Sequence, residues 1–191
     1  MGVSRVYKAI VIGASAGGLN ALSVILEDLP KDYSLPIIVV QHRGKDQRDL
    51  LEEVLQSKSL IKIKQADEKE KIKAGTVYIA PPDYHLLVEH DGTFSLSCEE
   101  PVNYSRPSID ILFESAAHVY GSQLVGVILT GANSDGALGL AGIKKSGGTT
   151  IVQEPGEAEY ASMPNAAIAK DAATHVYTLA QIQDYLIKLA L

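Results

Sequence analysis

Hydrophobic and polar positions along the chain fall into two rhythms: short unbroken apolar runs, and longer stretches with an apolar residue every three or four positions. Ala9–Ile12, Ile37–Val40, the segment LVGVILTG at 124–131 and TTIV at 149–152 are of the first kind. They are too short for helices and rich in β-branched residues, which predicts strands buried on both faces. Gly13 ends the first of them, and the second ends on Gln41 and His42. Stretches of the second kind lie between them. Leu19, Leu22, Leu26 and Leu29 mark a helix opened by Gly17 and Gly18 and closed by Pro30. Leu50, Leu51, Val54 and Leu55 mark another, with Asp46 as its cap and Asp49, Glu52 and Glu53 on its outer face. Ile109, Leu112, Phe113, Ala116 and Ala117 follow a cap at Ser105 or Ser108. Leu138, Leu140 and Ile143 run to Gly147 and Gly148. A small-residue helix and a last strand, THVYTL, then lead to a terminal helix that starts with a capping box of Thr178 and Gln181.

The middle of the chain differs. LIKIK at 60–64 alternates as a half-wet strand would, and the DEKEKIK that follows reads as a solvated loop with no role. Between 76 and 98 come TVYIA, YHLLVE and TFSLSC, separated by Pro81-Pro82-Asp83 and Asp91-Gly92. Asp-Gly between alternating runs signals a hairpin, so an antiparallel excursion at a sheet edge is expected. The whole pattern predicts an α/β fold: a doubly wound, mainly parallel sheet with helices on both faces and an antiparallel hairpin at one edge. Sites in such sheets form outside the carboxyl ends of the strands.

Composition narrows the setting. With 191 residues, one domain over residues 6–191 is large enough to bury its own core. The single cysteine, Cys98, excludes an internal disulfide and a cysteine-type zinc site, and neither a cofactor nor a metal is expected. The first strand begins too close to Met1 for a secretory signal, and no apolar run has membrane-spanning length. A cytoplasmic protein is expected. A net charge of −6 argues against a nucleic-acid partner.

Candidate chemistry gathers at the strand ends. Gly13, Ala14, Ser15, Ala16 and Gly17 fit Gly-x-Ser-x-Gly, in which flanking glycines allow a sharp turn that presents a serine hydroxyl at a helix start. Ser15 could equally cap that helix, or the glycines could cradle a dinucleotide. The dinucleotide fingerprint fits less well. Ser15 stands where its second glycine belongs, and Val39, Val40, Gln41 and His42 stand where a ribose-binding acid is expected. His42 and Asp135 also lie just past apolar strands, so Ser15, His42 and Asp135 share one edge if the strands are parallel. They would supply a nucleophile, a base and a carboxylate to orient the base. The Ala16 N–H is a candidate oxyanion donor. Asp135 could instead serve only the turn Asn-Ser-Asp-Gly. His85, His90, His118 and His175 occupy no such strand end and read as structural or surface residues.

Six motifs occur in one order: GASAGG with Ala21-Leu22, QHR at 41–43, APPDYHLLV at 80–88, RPSID with Leu112-Phe113, LTG followed by SDGALGL, and SMPNAA at 162–167. In this the chain resembles the catalytic domain of the chemotaxis-receptor methylesterases, the CheB type, over nearly its whole length. The resemblance implies a doubly wound α/β fold, hydrolysis of glutamyl methyl esters on the cytoplasmic helices of chemoreceptors, and deamidation of receptor glutamines. It also implies a catalytic serine, histidine and aspartate at Ser15, His42 and Asp135. The family commonly has Ser-Thr-Gly-Gly and Leu-Thr-Gly-Met-Gly where this chain has Ser15-Ala16-Gly17-Gly18 and Leu129-Thr130-Gly131-Ala132-Asn133. Those changes leave the backbone donors in place. No receiver domain is read upstream of Val6, so turnover without receiver control is expected. The alternative expectation is a catalytically weak receptor-binding or signalling module of the same fold.

Overall fold

The computed structural model describes residues 6–43 and 50–189. Seven parallel strands form its main sheet: β1 (Ala9–Ala14), β2 (Ile37–Gln41), β3 (Lys62–Gln65), β4 (Thr76–Ile79), β7 (Leu124–Ile128), β8 (Thr149–Gln153) and β9 (His175–Tyr177), in the order β3-β4-β2-β1-β7-β8-β9. A separate antiparallel pair is made by β5 (His85–Val88) and β6 (Phe94–Ser97). The helices are α1 (Gly18–Leu26), α2 (Leu51–Lys58), α3 (Ile109–Tyr120), α4 (Ala137–Lys145), α5 (Ser162–Ala169) and α6 (Leu179–Leu189).

Strand alternation divides the core in two, as a sheet covered on both faces requires. Ile10, Ile12, Val39, Val77 and Val127 pack with Leu22, Ile25, Leu55, Ile182 and Leu186 of α1, α2 and α6. Val11, Val40, Tyr78 and Ile128 pack with Leu112, Phe113, Leu140 and Met163 of α3, α4 and α5, and with Leu86 and Phe94 of the hairpin. Beside β1 the winding reverses: β2 lies on one side and β7 on the other, so the connections that leave β1 and β7 diverge and open a crevice at their carboxyl ends.

Several local expectations change. β1 runs on through Gly13 to Ala14, because Gly13 still pairs with Val40 and Ile128 and accepts the Leu129 N–H at 2.9 Å. TVYI is an internal parallel strand, buried at all four residues, and takes no part in the antiparallel excursion. The hairpin itself is present as its own two-stranded sheet, bonded to the connection that follows edge strand β3. Phe94 accepts the Lys69 N–H and donates to the Glu70 carbonyl, and Ile72 donates to the Gly92 carbonyl, each at 3.0 Å. The mixed charge run therefore has a role: it ties hairpin to sheet edge, with Lys64 paired to Asp67 and Glu70 at its base. The capping box forms as expected, Thr178 N–H to Gln181 Oε1 at 2.9 Å and Gln181 N–H to Thr178 Oγ1 at 3.3 Å. Asp46 and Asp49 lie outside the described residues.

Candidate active site

The sheet register sets the first two residues side by side. Ala14 pairs with Gln41, so Ser15 and His42 are the next residues of adjacent parallel strands, about 5 Å apart in the hydrogen-bonding direction. His42 donates its N–H to the Ala14 carbonyl, and Ser15 donates its N–H to Thr130 beyond β7, each at 3.0 Å. Gln41 locks the pair by donating Nε2–H bonds to the Ser15 and His42 carbonyls, both at 2.8 Å. Gly131 provides the room for Ser15, since a Cβ there would stand 3.0 Å from the serine Cβ.

The turn is not a serine cap. Gly17 holds the N-cap position with φ of 78°, a left-handed conformation that suits glycine, and no side chain caps α1. Gly18 donates to the Ser15 carbonyl at 2.9 Å, which leaves the hydroxyl uncommitted to α1. The Ala16 carbonyl accepts the Thr130 hydroxyl at 3.0 Å. No acceptor among the described residues takes the Ala16 N–H. Glu159 approaches Gly17 closely, its carboxylate 2.9 Å from where a Cβ would stand. An anion there opposes a pyrophosphate.

Asp135 comes from the connection between β7 and α4 and is fully buried. Its carboxylate accepts His42 Nε2–H at 2.9 Å, the Ile109 N–H at 2.7 Å, the Asp110 N–H at 3.2 Å and the Ser108 hydroxyl at 2.9 Å. Ser108 thus occupies the N-cap position of α3 without capping it; its hydroxyl turns to Asp135, and Asp135 takes the orphan N–H groups. Burial pushes the Asp135 carboxyl up, but the bonds from His42, Ile109 and Asn103 outweigh it and hold the group below the usual carboxylate range. Asp110 behaves oppositely: burial and the neighbouring Asp135 charge push it up, against bonds from Gly139 and Asn103. Asn103 bridges the two carboxylates, at 3.0 Å from Asp110 and 3.2 Å from Asp135.

The remaining imidazole nitrogen, Nδ1, lies 3.3 Å from Asn133 Nδ2. His42 also lines a depression of about 140 Å3 with Arg43, Pro82, Asp83, Tyr104 and Arg106. That is too small for a drug-sized ligand but fits one extended side chain. Arg43 is fixed to Glu52 at 2.9 Å, and Arg106 to the Cys98 carbonyl at 2.8 Å.

The other histidines stay apart from this edge. His85 is buried, donating Nε2–H to the Glu100 carbonyl at 3.1 Å and accepting the Ser108 N–H at 3.1 Å. It joins the hairpin to α3. His118 bonds the Glu114 carbonyl, His175 stacks on Tyr177, and His90 is exposed. Sequence reasoning missed Gln41, Asn103, Asp110, Ser108 and Asn133 as parts of the site. Gln41 and Asn133 neighbour His42 and Asp135 in the chain, whereas Asn103, Ser108 and Asp110 lie 25–32 residues from Asp135 and meet it only in the fold.

Fold and site together define an α/β protein whose candidate site lies at the carboxyl edge of parallel strands. The family described as CheB methylesterase matches residues 10–186. The chain belongs to that family, and as such is a carboxylic ester hydrolase. It is 54% identical over 183 residues to a Leptospira interrogans protein provisionally named protein-glutamate methylesterase/protein-glutamine glutaminase, covering 96% of this chain and 95% of that protein. Proteins of the same name, without the proviso, from Archaeoglobus fulgidus and Thermotoga maritima are each 37% identical, covering 94% and 95% of this chain but 52% and 54% of theirs. The chain therefore spans about half the length of these two relatives. The crystal structure of the Thermotoga maritima CheB methylesterase catalytic domain superposes with a TM-score of 0.92 at 37% identity, covering 98% of this chain and all of that one.

Proposed function

We propose that Ser15, His42 and Asp135 act as a catalytic triad that removes methyl esters from glutamate side chains on the cytoplasmic helices of chemoreceptors. The observation that carries this reading is the 2.9 Å bond between His42 Nε2 and the buried Asp135 carboxylate, at the strand end next to Ser15. Asp135 fixes the imidazole with Nε2 protonated, which leaves Nδ1 as the base. Nδ1 takes the Ser15 proton as Oγ attacks the ester carbonyl carbon, and the carbonyl oxygen gains the negative charge. The Ala16 N–H, at the positive end of α1, stabilises that oxyanion. Collapse breaks the acyl–oxygen bond, and the proton on Nδ1 leaves with methanol. Water then gives a proton to Nδ1 as its oxygen adds to the acyl carbon, and collapse breaks the acyl–Oγ bond, returns the Nδ1 proton to Ser15 Oγ and releases glutamate. The same steps on a glutamine amide release ammonia, so receptor deamidation belongs to the same site.

The narrow depression beside His42 supports a substrate that offers one side chain from a large surface, as a receptor helix does. Among the described residues no helix is long and apolar enough to cross a membrane, in keeping with a cytoplasmic enzyme acting on the cytoplasmic part of its receptor. A fluorophosphonate probe tests the nucleophile. Labelling of the peptide that contains Ser15, and its loss in Ser15→Ala, is the expected result; label on another serine removes the assignment.

A further inference from the structure

The nitrogen that must receive the Ser15 proton is already engaged. Asn133 Oδ1 accepts the Asp135 N–H at 3.1 Å, which orients the amide: the other end, facing His42 Nδ1 at 3.3 Å, is the NH2 group. An NH2 group only donates, so Nδ1 presents its lone pair and Nε2 carries the proton given to Asp135. Three bonds close a ring from Asp135 N–H through Asn133 and His42 back to the Asp135 carboxylate. Among the described residues, no hydrogen bond joins the Ser15 hydroxyl to His42.

We infer that Asn133 is a positioning residue that occupies the Nδ1 lone pair of His42 in the resting site and competes with the Ser15 hydroxyl for it. This rests on the reading of His42 as the base. The amide selects the correct tautomer, and it must yield before proton transfer. At 3.3 Å the bond is long and weak, so the brake is mild. Other charged or titratable groups around the ring are Asp135, Arg43, and Asp83, Tyr104 and Arg106 across the depression. Asp110 stands behind Asp135 through Asn103. All remain unchanged in variants at 133, so differences among those variants report the amide.

Two substitutions separate this role from a purely structural one. Asn133→Ala removes the donor, and the rate of fluorophosphonate labelling at pH 8 should rise about threefold. Asn133→Asp keeps the oxygen that holds the Asp135 N–H but turns a carboxylate toward Nδ1. Labelling at pH 7 should then fall about tenfold or more and recover as pH rises. A nitrogen-15 spectrum of histidine-labelled protein reads the ring without activity: the wild type should show Nδ1 unprotonated and Nε2 protonated, and Asn133→Ala should move Nδ1 toward its free-base position. Equal slowing in both variants, or no change in either, overturns the inference, as does a wild-type Nδ1 that carries the proton. If the wild type is not labelled at Ser15, the esterase reading fails, while the histidine spectrum still decides the role of Asn133.

Discussion

At Asp135 one carboxylate serves two masters: it accepts the N–H groups that the start of α3 leaves unpaired, and it holds the His42 ring. Asp135→Asn should therefore injure both folding and catalysis. An amide keeps the size but sets a donor against donors, costing about 2–4 kcal/mol of stability at neutral pH. It also unsettles the tautomer, for a kcat loss on the order of a thousandfold or more. The sign with pH follows from the lowered native pKa. Asp135 contributes stability above the ordinary aspartate range near 4, and the contribution is lost as pH falls through the lower native value. Urea unfolding of wild type and Asp135→Asn should thus differ most at pH 7 and converge in strong acid; a constant gap would contradict the assignment. In the proposed mechanism Ser15 and His42 act as one kinetic unit. Ser15→Ala and the double variant with His42→Ala should be about equally inactive, whereas multiplied losses in kcat/KM would separate them.

The N-terminus of α3 reaches the site because it sits directly on β1. Gly13 allows this: a Cβ there would fall inside the Ile109 side chain. Gly13→Ala should lift the first turn of α3, destabilise the fold by about 1–3 kcal/mol, and reduce kcat/KM further as Asp135 shifts from His42. Thermal melts and kinetics on the same preparation check both effects; unchanged activity would show that the helix can move without the carboxylate. The elements differ in how far they were legible in the sequence. β1, β2, β7 and β8 declare themselves because burial on both faces demands continuous apolar runs, and Ser15, His42 and Asp135 stand out because each follows such a run. β4 was obscured by its position between a charged loop and a hairpin, although Thr76–Ile79 is buried in the sheet. Ser108 resembles a cap in sequence, but a carboxylate from another loop displaced it. Asn133 and Asn103 could not be placed, since their contacts exist only once separate loops fold onto one edge.

For the whole molecule, the reversal of winding beside β1 brings three distant segments, around residues 15, 42 and 135, to one accessible edge. The helices on both faces bury the strands, and Ser15 and His42 stay partly exposed at that edge. Because the residues described supply the proposed nucleophile, base and carboxylate together, the purified chain should turn over receptor without any phosphodonor, and adding one should leave the rate unchanged. Release of volatile methanol from tritium-methylated chemoreceptor tests the central claim most directly. Wild type should release methanol well above buffer and Ser15→Ala should not. Release by Ser15→Ala as fast as by wild type, or no release by wild type whose Ser15 is still labelled by the probe, would contradict receptor demethylation by this triad.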